Sequence, residues 1–490
     1  MHDFIVIGAG YAGLSAAALL QKRGFKTLIL ESHIAVGGCA GYFTRRNFTF
    51  DVGATTFSGL RADQPVGKLF KELQIAPLFK KLDPGMGIFL DDKFITRFAE
   101  KEKWIAEAEM QFGARGQKNL WNEIFNIDKT VWELLGEFDI LPPANVGEYA
   151  NLLKNAKFTS LLKGAKLLPG LFRPFDVLLE KQNLLKNKLF KRFCDEQLLI
   201  STQSPSSSAP YATAAMGLAY PSETYYPFGG MSQPARDIAD VFKKSGGTLL
   251  FRQEVLKIEQ KSDNYEVSTR KGKFSTRGLV SSVPVWNMAK LTEGNIQQYF
   301  LKESRKSDFA WGAFVMYFAI EDIAPLETAY YQIHTRTPIP HCDSGSMFVS
   351  FSLPDDVLKA PAGWRTVTIS THTRSERWQD LDKLKYIEQK KVVEDFLLKE
   401  FDHAFKGFKT AKKQLVLTGS PTTFEFYTKR ENGFVGGIPH SVENNLLKMT
   451  PNVTPFKNLY VTGDTTFPGQ GTPAVILSAM NTVERIVRSF

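Results

Sequence analysis

Phe4-Ile5-Val6-Ile7-Gly8-Ala9-Gly10-Tyr11-Ala12-Gly13-Leu14 lies at the start of the chain and decides how the rest is read. Four consecutive apolar residues of β type predict a buried strand, the glycines a tight turn, and the apolar stretch from Leu14 to Leu20 a helix. Gly8 permits the turn, Ala9 lies within it, Gly10 lets a pyrophosphate approach the backbone, and Gly13 lets the helix pack on the strand. The helix N-terminus is then aimed at the phosphates. Gly24 ends the helix, Thr27 to Leu30 forms a second strand, and Glu31 falls roughly 20 residues after the glycines, where a carboxylate can accept both ribose hydroxyls. That carboxylate repels a 2′-phosphate, so FAD or NAD is favoured over NADP. A glycine motif alone also suits an ordinary turn; strand, helix and acidic residue in register make it a dinucleotide site.

The 490 residues exceed what one hydrophobic core usually serves, so at least two domains are expected. Hydrophobic residues at 43% and charged residues at 23% suit a folded globular chain. Phenylalanine, at 39 copies, either lines a long apolar tunnel or simply packs the cores. Cys39, Cys194 and Cys342 have no pairing or metal spacing and suit a reducing cytoplasm. The histidines form neither HxH nor HExxH, so no metal is expected. Asp3 stands where a signal peptide would be basic, and no run reaches the roughly 20 apolar residues of a membrane span.

The net charge of +10 is concentrated between Asn151 and Phe193, where Lys154, Lys157, Lys163, Lys166 and Arg173 interleave with Leu152, Leu153, Phe158, Leu161, Leu162 and Phe172. Such a segment either lies in an anionic lipid interface or is a solvated basic face over a core helix. No nucleic-acid-binding module accompanies it.

Val36-Gly37-Gly38-Cys39-Ala40-Gly41 is a second glycine loop, followed by Phe43 to Phe50 and Asp51-Val52-Gly53-Ala54. Residues 64–201 read mainly as helices, and Ser201 to Pro210 as a return between domains. After the aromatic loop Tyr226-Pro227-Phe228-Gly229-Gly230-Met231, Ser232 is predicted to cap a helix that Gly246-Gly247 stops. Runs at 248–251, 255–259, 265–269 and 273–276 predict an antiparallel meander, and Gly278 to Val283 a separate buried strand. Further strands at 313–320, 347–353 and 366–371, with a helix over 381–403, predict an inserted α+β domain. Near the end, Leu459 to Thr462 reads as a strand before Gly463-Asp464, and Thr472 and Pro473 as the N-cap and first position of a final helix.

GAGYAG at Gly8 to Gly13 with Glu31, GGCAGYF at Gly37 to Phe43 leading to FTFDVGAT at Phe48 to Thr55, YPFGGM at Tyr226 to Met231 and TGDTTFPGQGTPAV at Thr462 to Val475 together resemble the carotenoid desaturase and isomerase branch (phytoene desaturase-like) of the FAD-dependent amine oxidase superfamily. The resemblance implies an α/β fold, a Rossmann-like FAD-binding domain of GR2 type with an inserted α+β substrate domain. Residues 1–85, 205–300 and 410–490 would form the FAD-binding domain, and 86–204 and 301–409 the substrate-binding, membrane-associating one. It implies noncovalent FAD held by Gly8, Ala9, Gly10, Gly13, Glu31, Gly37, Gly38, Gly53, Ala54, Val255, Gly463 and Asp464, with the Ala474 and Val475 amides facing the isoalloxazine. Many relatives carry Arg where this chain has Cys39, which removes a cationic contact.

The implied function is an oxidoreductase acting on the polyene chain of a carotenoid, either a desaturase with quinone or oxygen as electron acceptor or a cis-trans isomerase using reduced flavin. Hydride loss from carbon next to a polyene is feasible because the cation is delocalised, whereas prior proton loss is not. No catalytic base is identifiable in the sequence. The long apolar isoprenoid would arrive at a membrane surface, giving a cytoplasmic protein, peripheral on the inner face of the membrane. Three alternatives share the motifs: a retinol-saturase-like reductase, an amine oxidase, and a non-enzymatic prenyl carrier resembling the Rab GDP-dissociation inhibitors.

Overall fold

The computed structural model describes residues 2–306 and 310–490. Its nucleotide half is built on a parallel sheet in which Thr248–Leu250, Thr27–Leu30, His2–Ile7, the second half of Gly272–Ser281 and Leu459–Val461 lie side by side. Alternation along these strands buries both faces. Phe4, Val6, Ile29 and Val280 face the helices Tyr11–Lys22, Ser232–Lys244 and Thr472–Ser489. Ile5, Ile7, Leu28, Leu30 and Leu279 face the helices Val285–Leu291 and Gly294–Ser304. The first and last helices pack together on that sheet.

The meander expected over 248–276 is only partly realised. Thr248–Leu250 is a parallel edge strand on Thr27–Leu30, and Gly272–Ser281 is one unbroken strand. Its first half pairs antiparallel with Tyr265–Thr269 and its second half parallel with His2–Ile7. Gly278 marks a close contact here, since a Cβ would stand 2.2 Å from the Phe4 ring.

A second sheet runs in the order Lys413–Gly419, Trp311–Glu321, Trp364–Arg374, Ser346–Phe351, Tyr330–His334, Met86–Leu90, Lys93–Arg97. Lys413–Gly419 was assigned from sequence to the nucleotide domain; its pairing with Trp311–Glu321, as in Val315↔Gly419, puts it at the edge of this sheet instead. Phe314, Met316, Phe318, Val367 and Ile369 lie on the face covered by Val393, Leu397 and Phe401 of the helix Lys383–Ala404. The alternate residues are left for the opposite face, which forms the floor of a cavity. Helices Lys101–Phe112, Gln117–Glu137, Lys188–Ser201 and Tyr211–Ala219 pack around Trp104, Trp121, Phe190 and Phe193. The first part of the basic segment lies on two helices, Val146–Asn155 and Phe158–Phe172.

Two helix starts differ from expectation. Ser232 is inside its helix and makes no cap bond; Met231 occupies the cap position, and its N–H donates to Asp51 Oδ1 at 2.9 Å. The final helix is capped by Gly471, one residue before the predicted Thr472, with no side-chain cap. No side chain caps the first turn of Ser232–Lys244, and Asp51 anchors its start by a tertiary contact to the cap residue's own N–H. Its Oδ2 is 2.5 Å from Lys359 Nζ, with the two side chains only 2% and 7% exposed. Removing one partner of such a pair strands a buried charge. Lys359→Met should lower unfolding stability by about 3–5 kcal/mol in urea titrations; an unchanged midpoint would mean that Asp51 needs no counter-charge.

Candidate functional site

Both ends of the chain meet around one continuous cavity of about 1340 Å³. Small-molecule sites commonly occupy roughly 300–1,000 Å³, so this space holds a dinucleotide and a further ligand together. Gly8, Gly10, Glu31, Gly37, Gly38, Gly53, Ala54, Val255, Gly463, Asp464, Ala474 and Val475 all line it. Of the residues singled out from sequence, Ala9 and Gly13 stand behind the wall.

The glycines have separate jobs. A Cβ on Gly13 would lie 2.1 Å from the Gly8 carbonyl oxygen, so Gly13 serves the packing of turn on helix. A Cβ on Gly10 would meet only Gly38 Cα, at 3.9 Å, so what a side chain there would fill is the cavity itself. Gly10 and Gly37 form a parallel bridge, and Gly37 N–H donates to Ala9 O at 2.9 Å, fastening the two glycine loops together. Gly37, at φ 115°, has the left-handed geometry that favours glycine. The Ala9 N–H is committed to Glu31 Oε2 at 2.6 Å, and Glu31 Oε1 accepts from His33 N at 2.7 Å. Backbone amides thus hold the carboxylate at the cavity wall, where free lone pairs remain for hydroxyl donors.

At the helix Thr472–Ser489, Val475 N–H donates to Gly471 O, so that amide is used within the helix. Thr472 and Ala474 keep first-turn N–H groups with no intrahelical acceptor, and no side chain caps them. These amides, the uncovered Gly10 and the backbone-held Glu31 fit a dinucleotide with a negatively polarised ring. The helix dipole favours negative charge at this end.

Beyond the cofactor end, the cavity runs over the floor of the second sheet, where Ala313, Val315, Tyr317, Phe348, Ser370 and His372 share one face, and under Ile200, Met216 and Tyr220. Among the described phenylalanines, only Phe43, Phe348 and Phe424 line it; Phe in this chain mainly fills cores. His440 lines the cavity with both ring nitrogens unpartnered. Burial pushes His372 and His440 down to about 4, so both are neutral at ordinary pH.

Sequence reasoning passed over two elements. Gly436-Gly437-Ile438-Pro439-His440 is a strap with no room for side chains at its glycines: a Cβ on Gly436 would lie 1.9 Å from Gln203 Nε2, and one on Gly437 2.1 Å from the Asp464 oxygen. The paired glycines before a proline were the available signal. The other is Arg430, whose guanidinium sits beside both Cys39 and Asp464, so the cavity wall at Cys39 has a cation after all. Nothing local marks it, because the contact joins residues almost four hundred apart. Among the described residues, no group of three His, Cys, Asp or Glu could hold a metal ion, and no helix is long and apolar enough to cross a membrane.

Residues 11–487 match the family described as flavin containing amine oxidoreductase. The chain is similar to prolycopene isomerase 1, chloroplastic, of an Oncidium hybrid cultivar, with 27% identity over 99% of this chain and 84% of the relative. It is also similar to the 1-hydroxycarotenoid 3,4-desaturase of Flavobacterium sp., at 22% identity over 99% of each. Among solved structures, a putrescine oxidase variant superposes with a TM-score of 0.67 at 11% identity, covering 99% of both chains, a likeness of fold. The chain belongs to the flavin-containing amine oxidoreductase family and is a flavin-dependent oxidoreductase.

Proposed function

We propose that this protein binds FAD noncovalently and acts on the polyene chain of a carotenoid, as a cis-trans isomerase or a desaturase. The carrying observation is the distribution of charge along the cavity. Among the described residues, its ionised side chains, Glu31, Arg45, Glu254, Lys290, Lys429, Arg430 and Asp464, all stand on segments of the cofactor half and its rim. The chamber segments within 86–220, 313–348 and 370–372 contribute none to the lining. An ammonium substrate entering such a chamber would lose its hydration with no carboxylate to meet it, which costs several kcal/mol on the order of magnitude. An uncharged hydrocarbon loses nothing of that kind and gains from burial. This distinguishes the polyene reading from an amine oxidase on the same fold.

Bound flavin supplies hydride chemistry. The chain supplies the rest. Glu31 and the glycine loops fix the cofactor's adenosine end, the Thr472 and Ala474 amides favour negative charge at its ring, and the sheet floor orients an extended ligand across it. His440, with both ring nitrogens unpartnered, and His372, likewise kept neutral by burial, are weakly basic groups that can take up a proton released inside the chamber. An isomerisation returns every electron and needs no external acceptor; a desaturation passes two on to quinone or oxygen.

The helices Val146–Asn155 and Phe158–Phe172 supply a route for such a substrate. They expose Val146 (86%), Leu153 (62%) and Phe158 (73%) next to Lys154, Lys157 and Lys163. Apolar side chains ringed by lysine suit an anionic bilayer surface. The second helix packs against Gln117–Glu137, whose Trp132 and Leu135 line the cavity.

Purified protein should be yellow, with an absorption band at about 450 nm, and acid precipitation should leave the flavin in the supernatant. Gly10→Val should yield folded but colourless protein; stoichiometric FAD in that variant would refute the cofactor placement. Expressed in bacteria that accumulate lycopene or its poly-cis precursors, the protein should change the pigment pattern on chromatography, and an unchanged pattern alongside rapid oxidation of simple amines would overturn the substrate class. Replacing Lys154, Lys157, Lys163 and Lys166 with Glu should weaken binding to anionic liposomes at low salt by on the order of a thousandfold, at roughly 1 kcal/mol for each lysine lost. Equal binding by both proteins would remove the docking surface.

A further inference from the structure

Arg430 is a positive charge placed inside the cofactor end of the cavity without full satisfaction from the protein. Its Nε donates to Phe434 O at 2.7 Å, which fixes the guanidinium plane. Nη2 lies 2.9 Å from Asp464 Oδ2, yet its N–H bonds are not aimed at that oxygen, and Nη2 has no aligned acceptor. The Nη1 contact to Asp464 Oδ1 is long, at 3.4 Å. Arg430 and Asp464 side chains are 11% and 18% exposed, and both line the cavity. Cys39, the third member, closes the far side of the Gly37-Gly38 loop that faces Gly10.

A guanidinium offers five donors in a rigid fork. Here one is spent on a carbonyl, and the carboxylate next to it is met at poor angles. Asp464 alone would repel any phosphate brought to the glycine loops. We propose that Arg430 is the counter-cation of the cofactor's diphosphate: it cancels the charge of Asp464 and turns its unused Nη2 donor to a phosphate oxygen when the dinucleotide is bound. Arg430 is then a cofactor-binding residue contributed by the segment that follows the second sheet, and it joins that segment to Asp464 and to the second glycine loop at Cys39. This assignment rests on the flavin reading above and adds to it the group that tolerates a carboxylate beside a diphosphate.

The test uses the full-length protein stripped of cofactor, with circular dichroism as the control for folding. FAD, ADP and AMP are titrated into the wild type, Arg430→Met, Asp464→Asn and the double variant. A charge-assisted hydrogen bond of ordinary strength predicts that Arg430→Met weakens FAD by roughly tenfold to a hundredfold. The advantage of ADP over AMP, which isolates the second phosphate, should shrink by a similar factor. Asp464→Asn should restore part of the loss in the Arg430→Met background, because the uncompensated carboxylate is then gone. Arg430→Met with wild-type affinity for FAD, or with an undiminished preference for ADP over AMP, would overturn the proposal. Failure of the wild type to bind FAD at all would instead sink the flavin reading, so the two failures are told apart.

Discussion

The structure depends on the close apposition of two glycine loops, Gly8 to Gly13 and Gly37 to Gly41, joined by the bond from Gly37 N–H to Ala9 O. Backbone approaches backbone there to a distance at which a Cβ on Gly38 would stand 3.2 Å from Gly10 Cα. No other residue type leaves room for an anionic ligand on the open side of such a contact. Everything around it holds the geometry. Glu31 is pinned by the Ala9 and His33 amides, Gly13 lets the first helix lie on its turn, and the last helix packs against the first.

The second sheet completes the site because its strand alternation gives it two unlike faces. One face is dense with Phe314, Met316, Phe318 and Ile369 against a long helix, and the other carries Ala313, Val315 and Ser370 among the larger Tyr317, Phe348 and His372. The first face is packed against its helix; the second is left open to the cavity. The buried pair Asp51–Lys359 ties this half to the cofactor half, since Asp51 also accepts from the N–H of Met231, which starts a helix of the parallel sheet.

What the sequence disclosed was local. The strand, turn and helix from Phe4 to Leu20 are specified by neighbours within a few residues, and so is Glu31 at the end of the second strand. What it concealed depends on contacts between distant segments. Ser232 has the right chemistry for a cap, but the cap position falls one residue earlier, at Met231, whose N–H is held by Asp51 from another strand. Gly278 reads as a break between two strands and is a packing contact with Phe4. Lys413–Gly419 follows a helix that belongs to the second sheet and pairs there, where the resemblance implied a return to the first. Arg430 looks like any surface arginine until the fold lays it beside Asp464 and Cys39.

The same separation of local and distant determinants explains how one cavity holds two kinds of ligand. Its charged wall is assembled from loops at strand ends, where backbone amides and first-turn N–H groups are already unpaired and ionised groups can be balanced one against another. Its uncharged wall is a sheet face, where the backbone is fully paired and a lone charge would have nothing to offset its desolvation. His372 and His440 obey that rule: burial keeps both imidazoles neutral. Polarity in the chamber therefore takes the form of neutral groups that can exchange a proton, and fixed charge stays with the cofactor. A flavoprotein acting on a hydrocarbon needs this division, because a permanent charge beside the ligand would hold water in the chamber.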